Sequence, residues 1–299
     1  MVDLVKLSRR WLAVGAFWYF VSVSVAQPVA LSPRWQANFP ATGNRQVVDT
    51  TSVPVTGGSK TMVVVVAAGS DLKSLKLQLG NLPIPFKVIG QDPVSRLGFI
   101  SVEGDIQPKA TTWVDDVGAS SNAILQSIEP GGAVKCRTMG WVKQVGEKIL
   151  PLALLKVKFS REVPPPGTPL MDDAGRVVGI VFQSSGNGNT GYAIPAEAVH
   201  RVQQDICNGG RLTRGWLGLA LRAESQIPEI SRVLPNSPAA AAGIKASDTL
   251  VSIGLRQVND YADAANAFFY LIPGQPVRVK LLRDADQLEF TLTPTLPKG

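Results

Sequence analysis

Histidine occurs once among the 299 residues, at His200, and cysteine twice, at Cys136 and Cys207. A single imidazole excludes His-Glu-x-x-His and other multi-histidine metal centres, and two cysteines 71 positions apart have no metal-ligand spacing. Neither a Gly-x-x-x-x-Gly-Lys loop nor a dinucleotide fingerprint is present. No metal and no cofactor is expected. Charge is also sparse, at 18% of residues with a formal net charge of +7. In "KSLKLQL" and "VRVKLLRD" the basic residues alternate with apolar ones at strand spacing. That pattern describes a solvated sheet face rather than a nucleic-acid track, so no nucleic-acid partner is expected.

What the chain has instead is 45% hydrophobic residues with 28 Gly and 22 Pro, a composition that favours short strands and turns over long helices. Its length is sufficient for two or three domains with cores of their own. Lys6, Arg9 and Arg10 precede the 16-residue apolar run Trp11–Ala26, which ends in Ser24-Val25-Ala26. This is the tripartite plan of a secretory signal peptide, with cleavage expected after Ala26. An uncleaved signal anchor is the competing reading, but the run falls short of the roughly 20 residues a spanning helix needs, so no stable membrane span is expected after cleavage. Removing residues 1–26 takes away three basic residues and one acid and leaves +5. Export to a periplasmic or secreted location would put both cysteines where a disulfide can form; a Cys136–Cys207 bridge and two free thiols are equally compatible with the sequence.

Residues 27–46 are Pro-punctuated and read as an N-terminal arm. From residue 47 to 207 run short β-rich segments, among them "KTMVVVVAA", "LGFISVEG", "GAVKCRTMGWV", "LLKVKF" and "RVVGIVFQ". They close with a helix in "PAEAVHRVQQDI", where Pro195 suits the first turn and Val199, Val202 and Ile206 recur at helical spacing. Residues 208–214 read as a linker. Residues 215–299 are mixed: a strand in "WLGLAL", strand and short helix in "ISRVLPNSPAAAAGI", a strand in "DTLVSI", a helix in "DYADAANAFFYLI" and two final strands.

Gly215-Trp216-Leu217-Gly218-Leu219, Ser237-Pro238-Ala239-Ala240, Ala242-Gly243-Ile244, Ser247-Asp248, Leu250-Val251-Ser252-Ile253 and Pro273-Gly274 occur in order. Together they resemble a PDZ domain of the HtrA type. A Leu-Gly-Leu turn at an edge strand offers consecutive backbone N–H groups to a carboxylate, and an extended peptide can add to that strand. The resemblance implies that Trp216, Leu217, Gly218 and Leu219 form the carboxylate loop. Ala265 and Phe268 would line the groove, with Phe269 the rival for that wall.

The preceding region is similar to the protease domain of HtrA-family serine proteases, most clearly at "GRVVGIVFQ", at "GYAIPAEAVHRVQQDICNGG" and over residues 72–104. The fold class this implies is mainly β: a chymotrypsin-like double β-barrel followed by a small α+β PDZ domain. Such enzymes use histidine, aspartate and serine. The resemblance places these roles at Ala67, Arg96 and Pro166, the last within "REVPPPGTPLMDDAGRVVGIVF". The matching oxyanion donors would be the N–H groups of Pro164 and Pro166, which proline lacks. Ser160, Ser184 or Ser185 with Lys156 or Lys158 offers only a weak Ser-Lys substitute, and His200 reads as a solvated helix residue.

The chain is therefore expected to be no enzyme but an inactive homologue that binds polypeptide C-termini or extended segments as scaffold, adaptor or regulator. The alternatives are an active endopeptidase with displaced catalytic residues, or a structural envelope protein with an unused groove. Family resemblance further implies a trimer, with Trp35 and Phe39 as contact residues.

Overall fold

The computed structural model describes residues 35–297 except 42–45, 56–59, 110, 116–121, 130–131, 146–147, 187 and 223–226. The expected signal segment, residues 1–26, lies outside the described residues.

Seven strands come first: β1 (Trp35–Phe39), β2 (Val48–Pro54), β3 (Thr61–Val65), β4 (Lys76–Leu79), β5 (Leu82–Pro83), β6 (Phe86–Asp92) and β7 (Leu97–Val102). They form one sheet in the order β5-β4-β1-β2-β3-β7-β6. Alternation along β3 sends Met62 and Val64 to one face and Val63 and Val65 to the other, and both faces are buried. Met62 and Val64 share a core with Trp35, Phe39, Leu77 and Ile100, against which Leu79 of β4 and Phe86 and Val88 of β6 also pack. Residues from both sides of the sheet thus meet, so the sheet curls around this core. Val63 and Val65 face a second core shared with the next module.

β1 departs from the sequence reading. Residues 27–46 read as an arm, yet Trp35–Phe39 pairs with both β2 and β4. The two residues expected at a trimer contact, Trp35 and Phe39, are 8% and 1% exposed within the core of their own barrel. The prolines on either side mask what is a regular strand with alternating burial.

The second module is a closed barrel of β8 (Ile124–Glu129), β9 (Gly132–Val145), β10 (Lys148–Phe159), β11 (Pro169–Met171), β12 (Val177–Ser184) and β13 (Thr190–Pro195), in the order β10-β13-β12-β11-β8-β9. Its interior holds Leu125, Cys136, Val157, Phe159, Leu170 and Val181. α1 (Ala196–Gly209) follows directly, with Pro195 as its N-cap residue rather than in its first turn, and ends at Gly210 in the left-handed conformation. Val199, Val202 and Ile206 enter the shared core as their spacing predicts.

The third module comprises β14 (Leu219–Leu221), β15 (Ile230–Val233), α2 (Pro238–Ala241), β16 (Thr249–Ile253), β17 (Arg256–Gln257), α3 (Tyr261–Phe269), β18 (Val277–Arg283) and β19 (Asp286–Leu292). β14 pairs with β15, and the others form a sheet in the order β17-β16-β18-β19. Mainly β, with two barrel modules and a small α+β module, is the architecture the sequence reading expected.

Candidate functional site

The strand expected over "WLGLAL" is only Leu219–Leu221 long, because Gly218 takes φ +80° and turns the chain just before it. Upstream, Trp216 pairs instead with Thr295 near the C-terminus. Leu217 is buried in the module core. The carbonyls of Leu217 and Gly218 accept from the N–H groups of Ala239 and Leu234, at 3.0 and 2.8 Å. Among the described residues, the N–H groups of Leu217 and Gly218 themselves meet no backbone acceptor. Two successive free N–H groups at a left-handed turn make an anion-receiving concavity.

Among the described residues β14 pairs with β15 alone, so its other edge carries unpaired backbone groups. α3 presents three distinct faces. Ala264 and Ala267 pack into the PDZ-like core together with Leu271, which follows the helix. Phe269, 3% exposed, enters the core shared with Val199, Val202, Leu152 and Leu154 of the barrel module. Ala265 and Phe268, three positions apart and both half-buried, share the remaining stripe, and Phe268 packs on the same core as Leu219 and Leu221. The sequence left Phe268 and Phe269 as rivals for the groove wall; the fold gives Phe269 to the inter-module core.

That second face of α3 docks by polar contacts too. Asn266 Oδ1 accepts from the Ala153 N–H at 3.0 Å, and Asp263 is ion-paired with Lys143 of β9. Arg256, just upstream of α3, pairs with Glu197 of α1 and stacks on Tyr270. The buried Arg201 guanidinium holds the linker, donating to the carbonyls of Thr213 at 2.7 Å and Leu271 at 3.0 Å, and pairs with Asp205.

Ser247-Asp248, noticed as motif residues, have a structural role. Arg283 reaches Asp248 with two hydrogen bonds of 2.7 and 2.8 Å, and the Lys245 N–H donates to the same carboxylate at 2.8 Å. The Arg283 hydrogen bonds, followed by that N–H, hold the Asp248 carboxyl below the usual carboxylate range. Because the folded-state value is depressed, the stabilisation is present above the unfolded-state value of about 4 and is lost as pH falls through the folded value. Thermal unfolding followed from neutral pH to about pH 3 is expected to show an acid-side decline that Asp248→Asn flattens, while lowering the melting temperature at neutral pH. An unchanged acid limb in that variant would count against the pairing.

Of the positions the resemblance assigned to a triad, Arg96 and Pro166 are hydrogen-bonded to or near the strand end that leads to Ala67. The backbones of Val66 and Arg96 are hydrogen-bonded at 2.8 Å, and Arg96 Nε donates to Val66 O. Arg96 sits over the Phe182 ring and donates to Gln183 Oε1, both on β12. The Pro166 carbonyl accepts from the Thr51 N–H and from Thr50 Oγ1, each at 2.8 Å, and Thr50 Oγ1 also lies 3.3 Å from Val65 O. Arg96 thus lies beside Val66, the residue before Ala67, and Pro166 is linked through Thr50 to Val65. Of the serines considered as substitutes, Ser185 donates to the Thr190 carbonyl and Ser184 accepts from the Gly186 N–H.

Sequence reasoning missed the setting of His200. Its Nδ1 lies 2.5 Å from Asp115 Oδ1 and its ring packs against Trp113 with centroids 5.5 Å apart. Nε2 is buried and has no partner among the described residues. Trp113 in turn donates to the Pro54 carbonyl and bridges Val177, so it ties the first two modules together. Asp115 lies 85 positions upstream of His200, and no local pattern signals that pairing. Cys136 is buried on β9 and Cys207 exposed on α1, both as free thiols, and burial pushes the Cys136 thiol up to about 12.

A curled barrel-like sheet, a closed barrel and a peptide-groove module define the class: a trypsin-like double barrel joined to a PDZ domain. Residues 215–293 match the family described as PDZ domain. A Chlamydia trachomatis protein named probable periplasmic serine endoprotease DegP-like is 26% identical over 229 residues, 70% of this chain and 46% of that protein. A Bartonella henselae protein of the same name is 31% identical over 64% of this chain and 42% of its own length. The Escherichia coli periplasmic serine endoprotease DegP is 25% identical over 73% of this chain and 51% of its own length. The chain spans about half the length of these curated relatives. Among solved structures, the HtrA-type protease AlgW with tripeptide superposes with a TM-score of 0.64 at 19% identity, covering 90% of this chain and 95% of that one. The chain is similar to DegP-like endoproteases in sequence and to HtrA-type proteases in fold, as the motif resemblance implied.

These findings overturn one expectation. The chain was read as no enzyme because of the residue types at Ala67, Arg96 and Pro166, positions assigned by resemblance alone. The relatives that carry that resemblance are named serine endoproteases, and the structural neighbours are HtrA-type proteases. No finding shows the triad lost, and the expectation is withdrawn. The periplasmic names of the relatives agree with the expected export. Among the described residues no helix is long and apolar enough to cross a membrane.

Proposed function

We propose that this chain is a periplasmic HtrA-type protein of the serine endoprotease class whose PDZ domain captures polypeptide C-termini. The observation that carries the peptide reading is the pair of free N–H groups at Leu217 and Gly218, at the head of the open β14 edge. A terminal carboxylate fits the N–H pair. The peptide backbone extends β14, and its last side chain lies against Leu219, Ala265 and Phe268. Trp216 shapes the loop through its pairing with Thr295. Such a short augmented strand binds weakly on its own, since the peptide loses conformational freedom. An assembly of several copies would add avidity.

The relatives support endoproteolysis, and one geometric observation favours a displaced centre. A carboxylate on histidine Nδ1 orients the ring; His200–Asp115 supplies that pair, and its Nε2, buried without a partner among the described residues, would still have to gain access to a nucleophile to act as a base. The test combines both readings. The chain is titrated with peptides carrying free or amidated C-termini, and casein is supplied as substrate. Binding lost on amidation supports the carboxylate site; equal binding of amidated peptides refutes it. Casein cleavage abolished by His200→Ala supports the displaced centre, whereas cleavage that survives His200→Ala rejects it.

A further inference from the structure

The outer face of the second barrel is unusual in its charge. On β9, Val134, Cys136 and Thr138 point inward, while Lys135, Arg137 and Met139 are exposed. On β10, Val157 and Phe159 point inward and Lys156 and Lys158 point outward. The register sets Arg137 directly opposite Lys158 and Ile124 directly opposite Arg137, with Gln126 opposite Lys135. Like charges directly opposed on one sheet face destabilise it. Among the described residues Lys135, Arg137, Lys156 and Lys158 make no salt bridge. Four cations thus lie on neighbouring positions of two adjacent strands, flanked by Ile124, 60% exposed, and Met139, 48% exposed. Arg161 and Glu162 border the patch beyond β10, one of each sign.

We propose that this face docks on an anionic phospholipid surface. The argument is charge complementarity combined with shape. Among the described residues the patch is the outside of a closed barrel, in which β9 is paired with both β8 and β10 and β10 with both β9 and β13. Long cationic side chains can reach phosphate headgroups while the opposed Arg137 and Lys158 lose their mutual repulsion. Ile124 and Met139 supply the apolar component that enters the interfacial region. An acidic polypeptide would answer the charge but would leave these two exposed apolar side chains unexplained.

The test is sedimentation of the full chain with mixed phosphatidylcholine/phosphatidylglycerol vesicles and with pure phosphatidylcholine vesicles, at low and high salt. Wild type and Arg137→Gln/Lys158→Gln are compared, so that any contribution of residues 1–26 is common to both. The proposal expects salt-sensitive binding to the anionic vesicles only, reduced about 25-fold in the double variant at about fivefold per charge. The double variant should melt no lower than wild type, because an opposed like-charge pair has been removed. Should it fail to fold, Lys135→Gln/Lys156→Gln serves the same purpose. Equal binding by wild type and variant would overturn the proposal, as would indifference to lipid charge. So would poly-glutamate that binds the patch more tightly than the vesicles do.

Discussion

Gly218→Ala is expected to abolish capture of carboxylate-terminated peptides and to destabilise the PDZ domain by about 3–5 kcal/mol. Two costs combine. Gly218 holds φ +80°, which a residue with a Cβ adopts only at a penalty of about 1–3 kcal/mol. An added Cβ would also stand 2.1 Å from Ser237 Cβ and 2.5 Å from its Oγ. Ser237 has little freedom to retreat, because it caps α2, accepting from the Ala240 N–H at 3.1 Å and donating to the Leu234 carbonyl at 2.6 Å. Moving it costs the cap, itself worth about 1 kcal/mol. Gly254→Ala is the control. Gly254 has φ +59°, but its added Cβ would meet nothing closer than 3.5 Å, so only the backbone penalty applies. Thermal unfolding and peptide titration of both variants measure the difference. If Gly218→Ala melts with Gly254→Ala and still binds the peptide, the turn is not the carboxylate site.

Much of this architecture was legible because local signals agreed with tertiary ones. α1 was readable from Val199, Val202 and Ile206, whose helical spacing matches a single buried face. The motif glycines of the PDZ domain were readable because positive φ and close approach demand glycine, as at Gly218. β1 was hidden because alternation over five residues is a weak signal beside prolines and masks no turn; only its pairing with β2 and β4 reveals it. The three-faced use of α3 was half visible. Its apolar residues run almost all round, so the sequence could not divide Phe268 from Phe269 until the barrel supplied a second surface. His200 shows the limit most clearly: its partner comes from the segment between the barrels, and a contact across 85 positions has no sequence-local trace. The charge pattern of the second barrel was legible as a solvated face, but the opposition of Arg137 to Lys158 required the register.

The division of labour between Phe268 and Phe269 gives the other large effect. Phe269→Ala is expected to cost about 3–5 kcal/mol, the range for emptying a fully packed aromatic site. The cavity would open where α3 meets Val199 and Val202 of α1 and Leu152 and Leu154 of β10, among contacts that fix the PDZ domain against the barrel. The neighbouring anchors, Asn266 to the Ala153 N–H and Asp263 to Lys143, lie on the same side of the helix and cannot fill the space. Loss of that core should lower the melting temperature and speed proteolysis of the segment joining α1 to β14. Phe268→Ala should behave differently. That ring is only half-buried and packs on the same core as Leu219 and Leu221, so its removal should cost less stability and weaken peptide binding instead. Melting curves and peptide titrations of the two variants cross-check each other. Equal effects on both readouts would mean that α3 does not separate a docking face from a binding face. A stability loss confined to Phe269→Ala, with affinity loss confined to Phe268→Ala, would establish that one nine-residue helix serves the barrel interface and the peptide groove on different sides.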